Sequence, residues 1–194
     1  MTIRRATCVL CVHLIAGPGV FAQTPKTPGP AQDMPEAGGV YYRQDQRGWV
    51  NLDHAKLEDS RTRGMGRFMD TDGLSGLDVT VSYHGTRAAL QITDRRPTFY
   101  VRAVISCKEA IQNAIIVELT GRKSSREVQI SSTLAGIGNR EGYRRGEIRR
   151  VMVTELTKDS FSIRPQQVLK PGEYLLVLSH ADNAFDFGIK PATR

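Results

Sequence analysis

Apolar residues recur at every second position over short runs through most of this chain, and turn-forming residues separate the runs. Val79, Val81 and Tyr83 share one phase, as do Leu90 with Ile92, Val128 with Ile130, and Phe161 with Ile163. In an extended chain such residues line one face, so each set predicts the inward face of a strand. Strands are expected over residues 77–83, 87–93, 98–106, 114–120, 127–131, 148–156, 161–164, 174–179 and 184–189. Leu175, Leu176, Val177 and Leu178 are apolar in both phases, which predicts a strand buried on both faces.

Further upstream, Val40-Tyr41-Tyr42-Arg43 and Trp49-Val50-Asn51-Leu52 flank a polar stretch ending in Gly48, the pattern of a β-hairpin. Asp53 to Glu58 has the look of a short helix opening, and Gly64, Gly66, Gly73 and Gly76 forbid a long one, so residues 53–76 are expected to be irregular. Many short strands with few helix-period stretches predict an all-β protein, an immunoglobulin-like antiparallel β-sandwich or another sandwich or barrel.

Leu169-Lys170-Pro171-Gly172-Glu173-Tyr174 leads into the most apolar strand. The spacing fits a tyrosine corner, in which a strand-entry Tyr returns its hydroxyl to upstream backbone. It equally fits an ordinary type II turn, with Pro171 fixing φ and Gly172 supplying a positive φ.

Arg4 and Arg5 precede an apolar stretch from Ala6 to Ile15, then Gly17-Pro18-Gly19 and the small-residue site Val20-Phe21-Ala22. That is the layout of a cleaved secretory signal over residues 1–22, with the mature chain expected from Gln23 and located in the periplasm or outside the cell. The stretch is shorter than the roughly 20 residues a spanning helix needs. Cys8 and Cys11 make a lipid anchor the competing reading, but both stand early in the apolar run without the small-residue pattern lipidation wants. Residues 23–39, with Pro25, Pro28, Pro30 and Pro35, read as a Pro/Gly-rich linker to a single domain over residues 40–194.

Export changes the thiol count. Of three cysteines only Cys107 remains in the mature chain, so no internal disulfide is expected. Val101, Ala103, Ile105 and Cys107 share a phase, which predicts an inert, core-facing thiol. Charge changes less: 27 basic residues stand against 20 acidic ones, and losing Arg4 and Arg5 takes the net charge from +7 to +5. Part of this charge clusters at Arg140, Arg144, Arg145, Arg149 and Arg150 around Tyr143, with Arg122, Lys123 and Arg126 near in sequence. Such a cluster is either a solvated hairpin tip or a surface for an anionic glycan, lipid or protein of the envelope. A lone Tyr gives little for bases to stack on, which argues against nucleic acid.

No catalytic or metal-binding constellation is recognisable. His54, His84 and His180 are far apart, and no zinc spacing occurs. Asp70-Thr71-Asp72-Gly73 opens like a calcium loop, but the later ligands do not follow. Gly136-Ile137-Gly138-Asn139-Arg140 lacks the Lys-Ser/Thr of a phosphate loop, and no Gly-x-Ser-x-Gly elbow is present. Nothing in the sequence calls for a cofactor.

Gly39-Val40-Tyr41-Tyr42 with Gly48-Trp49, Arg96-Pro97-Thr98-Phe99-Tyr100-Val101-Arg102, Arg126-Glu127-Val128-Gln129, and Leu169 to Tyr174 with Phe185-Asp186-Phe187-Gly188-Ile189 follow one another in a set order. In that order they resemble blocks found in uncharacterised secreted β-rich proteins of soil bacteria. The resemblance covers most of the mature chain; it implies a signal peptide, a β-rich domain and no assigned activity, and it transfers no catalytic residue. The Leu-x-Pro-Gly-x-Tyr element is also similar to the strand-entry corner of immunoglobulin-, fibronectin- and copper-resistance-type sandwiches. The copper modules imply a His- or Met-rich N-terminal site, which this chain lacks.

Three functions are therefore expected in order: a non-catalytic binding or envelope-structural module using the Arg140–Arg150 region, an exported hydrolase acting on polysaccharide or peptide, and a partner subunit pairing through an edge strand. Clustered carboxylates in a cleft would favour the second.

Overall fold

The computed structural model describes residues 33–45, 48–63, 77–132, 142–179 and 183–191. The segment expected to be a secretory signal, Asp70–Gly73, Gly136–Arg140 and His180 all lie outside the described residues. The chain is all-β, with thirteen strands and one short helix among the described residues. They are β1 (Gly39–Gln44), β2 (Gly48–Asn51), β3 (Leu57–Arg63), β4 (Leu77–His84), β5 (Gln91–Ile92), β6 (Phe99–Arg102), α1 (Cys107–Asn113), β7 (Ile115–Gly121), β8 (Ser125–Ser132), β9 (Gly142–Tyr143), β10 (Ile148–Thr157), β11 (Ser160–Pro165), β12 (Gly172–Val177) and β13 (Ala184–Ile189).

The strands join in the order β2-β1-β6-β11-β10-β7-β12-β13-β5, with β3, β4, β8 and β9 branching off where β8 meets the end of β7. All pairings are antiparallel except β13 with β5. The long β10 changes partners along its length: Ile148–Arg150 pair with β7, and Val151–Thr157 pair with β11.

The switch at β10 turns the β1-β6-β11 end over one face of β7, β12 and β13, and the β8 branch covers their other face, so two cores form. In the larger, Val40, Phe99, Val101, Phe161 and Ile163 from the β1-β6-β11 end meet Ile116, Tyr174, Leu176, Phe185, Phe187 and Ile189 from β7, β12 and β13. On the reverse face of those same strands, Val117, Leu175, Val177 and Ala184 pack against Tyr83 and Val128 of β4 and β8. β12 is thus buried on both faces, as its continuous apolar run requires, with Leu175 and Leu176, and Leu178 just past its end, fully enclosed.

Three local expectations are corrected. β6 ends at Arg102 because Ala103 takes a φ of 51°, a left-handed conformation that breaks a strand. Cys107 therefore begins α1 rather than ending a strand. Ser106 caps that helix, its hydroxyl accepting from the Glu109 amide at 3.2 Å, and Ser106-Cys107-Lys108-Glu109 is a readable capping sequence. Second, residues 57–63, expected to be irregular, form the edge strand β3 along β4. Third, only Gln91 and Ile92 of the stretch 87–93 are strand.

Tyr174 makes the corner: its hydroxyl donates to the Lys170 carbonyl at 2.8 Å while its ring lies in the larger core. The type II turn is not formed, since Gly48 and Gly85 are the glycines with positive φ among the described residues and Gly172 instead opens β12. Gly172 lies beside the folded-back ring: a Cβ at this position would stand 3.7 Å from the Tyr174 Cε2. Leu169 is buried and Pro171 exposed beside it. β1 repeats the device: Tyr41 donates to the Ala37 carbonyl at 2.8 Å, again four residues back, with Gly39 beneath its ring.

Candidate functional site

Alternation along β8 decides which charges reach the surface. Arg126, Val128 and Ile130 share a phase, and Val128 faces the second core, so Arg126 points inward and is 2% exposed. Its Nη1 donates to the Asp186 carboxylate at 2.7 Å, its Nη2 to the His84 carbonyl at 2.7 Å and its Nε to the Gly85 carbonyl at 3.1 Å. Glu173 lies 3.7 Å from the same guanidinium and accepts from the Ala88 amide and the Gln91 side chain. A buried Arg with two carboxylates and two carbonyls is satisfied in place, so Arg126 is a structural cross-link and leaves the basic surface.

Glu127 and Gln129 alternate to the opposite, outward face of β8. There Thr120 pairs with Glu127, and Gln129 pairs with Thr80, which pairs with Arg61. These residues floor a polar cleft of about 200 Å³, rimmed by Arg61, Arg122, Arg144 and Glu147. Arg122 holds Glu127 at 2.7 Å, and Arg61 holds Asp59 at 2.8 Å. Both use their Nε atoms, so the Nη ends of both forks lie beyond these contacts. Oε2 of Glu147 is shut off from solvent without a hydrogen-bond partner among the described residues. Burial pushes the Glu147 carboxyl above the usual carboxylate range, with Arg144 pulling the other way.

A second cleft, of about 440 Å³, lies along the start of β10 and is lined by Ile148, Arg149, Arg150, Gln166, Gln167, Val168 and Lys170. Lys170 reaches it from the tyrosine corner. The Gln166 amide donates to the Arg150 carbonyl at 2.9 Å and its side chain to the Val151 carbonyl at 3.1 Å, which fixes that wall. Arg149 is held by the Glu118 carboxylate and by the Gly146 carbonyl. No carboxylate is among this cleft's lining residues.

The expected basic patch is therefore divided. Arg144 goes to the first cleft, Arg149 and Arg150 go to the second, and Arg145 is exposed on the turn between. Arg140 lies outside the described residues. Tyr143, expected at the centre of the charged cluster, is half-buried against the second core with its hydroxyl enclosed, and its partner in the ladder is Ile130. Lys170 and Arg61 were not expected at a site; nothing in the sequence places either beside the cluster, since both arrive through strand pairing.

Cys107 packs partly against the larger core, and burial, with Glu155 nearby, raises its thiol pKa, which disfavours the reactive thiolate. Among the described residues no group of His, Cys, Asp or Glu is arranged to hold a metal, and no helix is long and apolar enough to cross a membrane. Comparison with protein-family models, with curated proteins and with solved structures returns no match.

Proposed function

We propose that this chain is an exported, non-catalytic binding module whose cleft along β10 takes an anionic glycan, lipid or protein surface of the envelope. One observation carries the reading: Arg150 and Lys170 line a concavity with Gln166 and Gln167, none of its lining residues is a carboxylate, and Arg149 on its wall is already held by Glu118. Guanidinium and ammonium groups supply attraction, and amides supply the directional hydrogen bonds that hold an oxyanion. Each cation near an anionic surface contributes about 1 kcal/mol, less at high salt. The tyrosine corner and the two-faced β12 support an immunoglobulin-like sandwich as the scaffold. The amino-terminal residues support export, and the ordered blocks support kinship with secreted β-rich proteins of soil bacteria.

The test is binding of purified protein to heparin and to vesicles containing anionic lipid, beside a variant with Arg150 and Lys170 changed to Ser. Arg149 is left in place because its loss strands Glu118. The variant is expected to bind at least tenfold more weakly at low salt; equal binding would refute the proposal.

An exported hydrolase acting on polysaccharide or peptide is the second reading. It draws on Glu127 and Glu147 in the first cleft and on the raised Glu147 carboxyl, the state a general acid needs. Release of reducing ends from a polysaccharide panel, lost in Glu147→Gln, would establish it in place of the binding reading.

A further inference from the structure

The first cleft differs in kind from the basic one. Three guanidinium groups, of Arg61, Arg122 and Arg144, share it with two carboxyl groups, of Glu127 and Glu147. A plain anion such as sulfate would meet the arginines but also the carboxylates, which accept hydrogen bonds and cannot donate them when ionised. A neutral sugar would satisfy Glu127, Thr80, Thr120 and Gln129 and leave the arginines without purpose. A molecule carrying both an oxyanion and several hydroxyls uses every group present.

We propose that this cleft is a binding site for one acidic sugar residue, its carboxylate held by the outer fork atoms of Arg61, Arg122 and Arg144 and its hydroxyls by Glu127, Gln129 and the floor threonines. Three structural facts bear on it. First, the arginines come from three separate segments: β3, the β7–β8 turn and the segment after β9. They are brought together only by the fold. Second, Arg61 and Arg122 are steadied through Nε by Asp59 and Glu127, which aims the Nη ends and reduces the ordering a ligand must impose. Third, Glu147 lines the cleft beside Arg144, which sets a carboxyl group in the same concavity as the guanidinium cluster.

The site rests on different residues from the β10 cleft, so either can fail alone. Glucuronate, glucose, inorganic sulfate and glycine are titrated into the purified full chain by calorimetry, with Arg144→Ser and Glu147→Gln alongside. Arg144 is exposed, so its loss leaves the fold intact; the Gln variant keeps the shape of Glu147. Glucuronate is expected to bind at least tenfold more tightly than the other three, and Arg144→Ser to weaken it at least tenfold. Glu147→Gln should weaken it less, because an amide oxygen still accepts. Sulfate binding as tightly as glucuronate would mean a plain anion site, glycine as tightly a zwitterion site, and either overturns the proposal. So does glucuronate that fails to bind, or that binds Arg144→Ser unchanged.

Discussion

The Arg126 guanidinium meets the Asp186 carboxylate at 2.7 Å, tying β8 to β13 inside the molecule with both side chains nearly enclosed. Removing Arg126 strands Asp186, and removing Asp186 leaves the enclosed guanidinium with Glu173, at 3.7 Å, as its remaining carboxylate. Asp186→Ala is expected to cost about 3–5 kcal/mol in urea unfolding. The double variant Arg126→Met, Asp186→Leu should lose less than the sum of the two single changes, because neither member of the pair is left facing an empty partner position, while Glu173 keeps its hydrogen bonds from the Ala88 amide and Gln91. Additive losses would show that the two side chains act independently.

Tyr174 is fully buried and burial pushes its phenol from 10.0 up to about 12. A raised pKa in the folded state favours the neutral phenol, so its contribution is present below about pH 10 and lost as pH rises through about 12. Tyr174→Phe should cost about 1 kcal/mol at neutral pH through the lost bond to Lys170, and should flatten the fall in stability above pH 10. Unfolding curves of both proteins across that alkaline range check this; parallel curves would contradict it.

The two tyrosine corners differ in tightness. A Cβ on Gly39 would stand 3.2 Å from the Tyr41 Cζ and 3.1 Å from the Asn51 Oδ1, whereas one on Gly172 would stand 3.7 Å from its nearest atom. Gly39→Ala is therefore expected to lower the melting temperature more than Gly172→Ala, by about 1 kcal/mol in stability. Equal effects would mean that β1 yields freely.

Ser106→Ala should destabilise by roughly 0.5–2 kcal/mol, because the Glu109 amide loses its acceptor and α1 has only seven residues. Ser106→Asp should restore most of the loss, since Asp is an equally good cap. Thermal melts of the three proteins decide it.

Much of the sheet was legible because it rests on period-2 alternation. The apolar pairs of β4, β8 and β11, and the unbroken run of β12, announced which faces are buried. β3 was not legible: Leu57-Glu58-Asp59-Ser60-Arg61-Thr62-Arg63 is a charged edge strand, and such strands carry little apolar pattern. α1 was hidden because Val101 to Cys107 alternates through the turn at Ala103, although Ser106 and Glu109 already spelled its cap. Arg126 shows the same logic in reverse: the alternation that put Val128 in the core put Arg126 there too, but a charged residue reads as surface unless its partners are known. Asp186 lies 60 positions away. The clefts were the least legible part, since Lys170 joins Arg150, and Arg61 joins Arg144, only through strand order.

Side-chain NMR during titration with a heparin oligosaccharide tests the central claim most directly. Binding along β10 predicts that the Arg150 Nε and Lys170 Nζ signals and the Gln167 side-chain amide move together with a single affinity. Signals that stay fixed, or shifts confined to other parts of the surface, would contradict it.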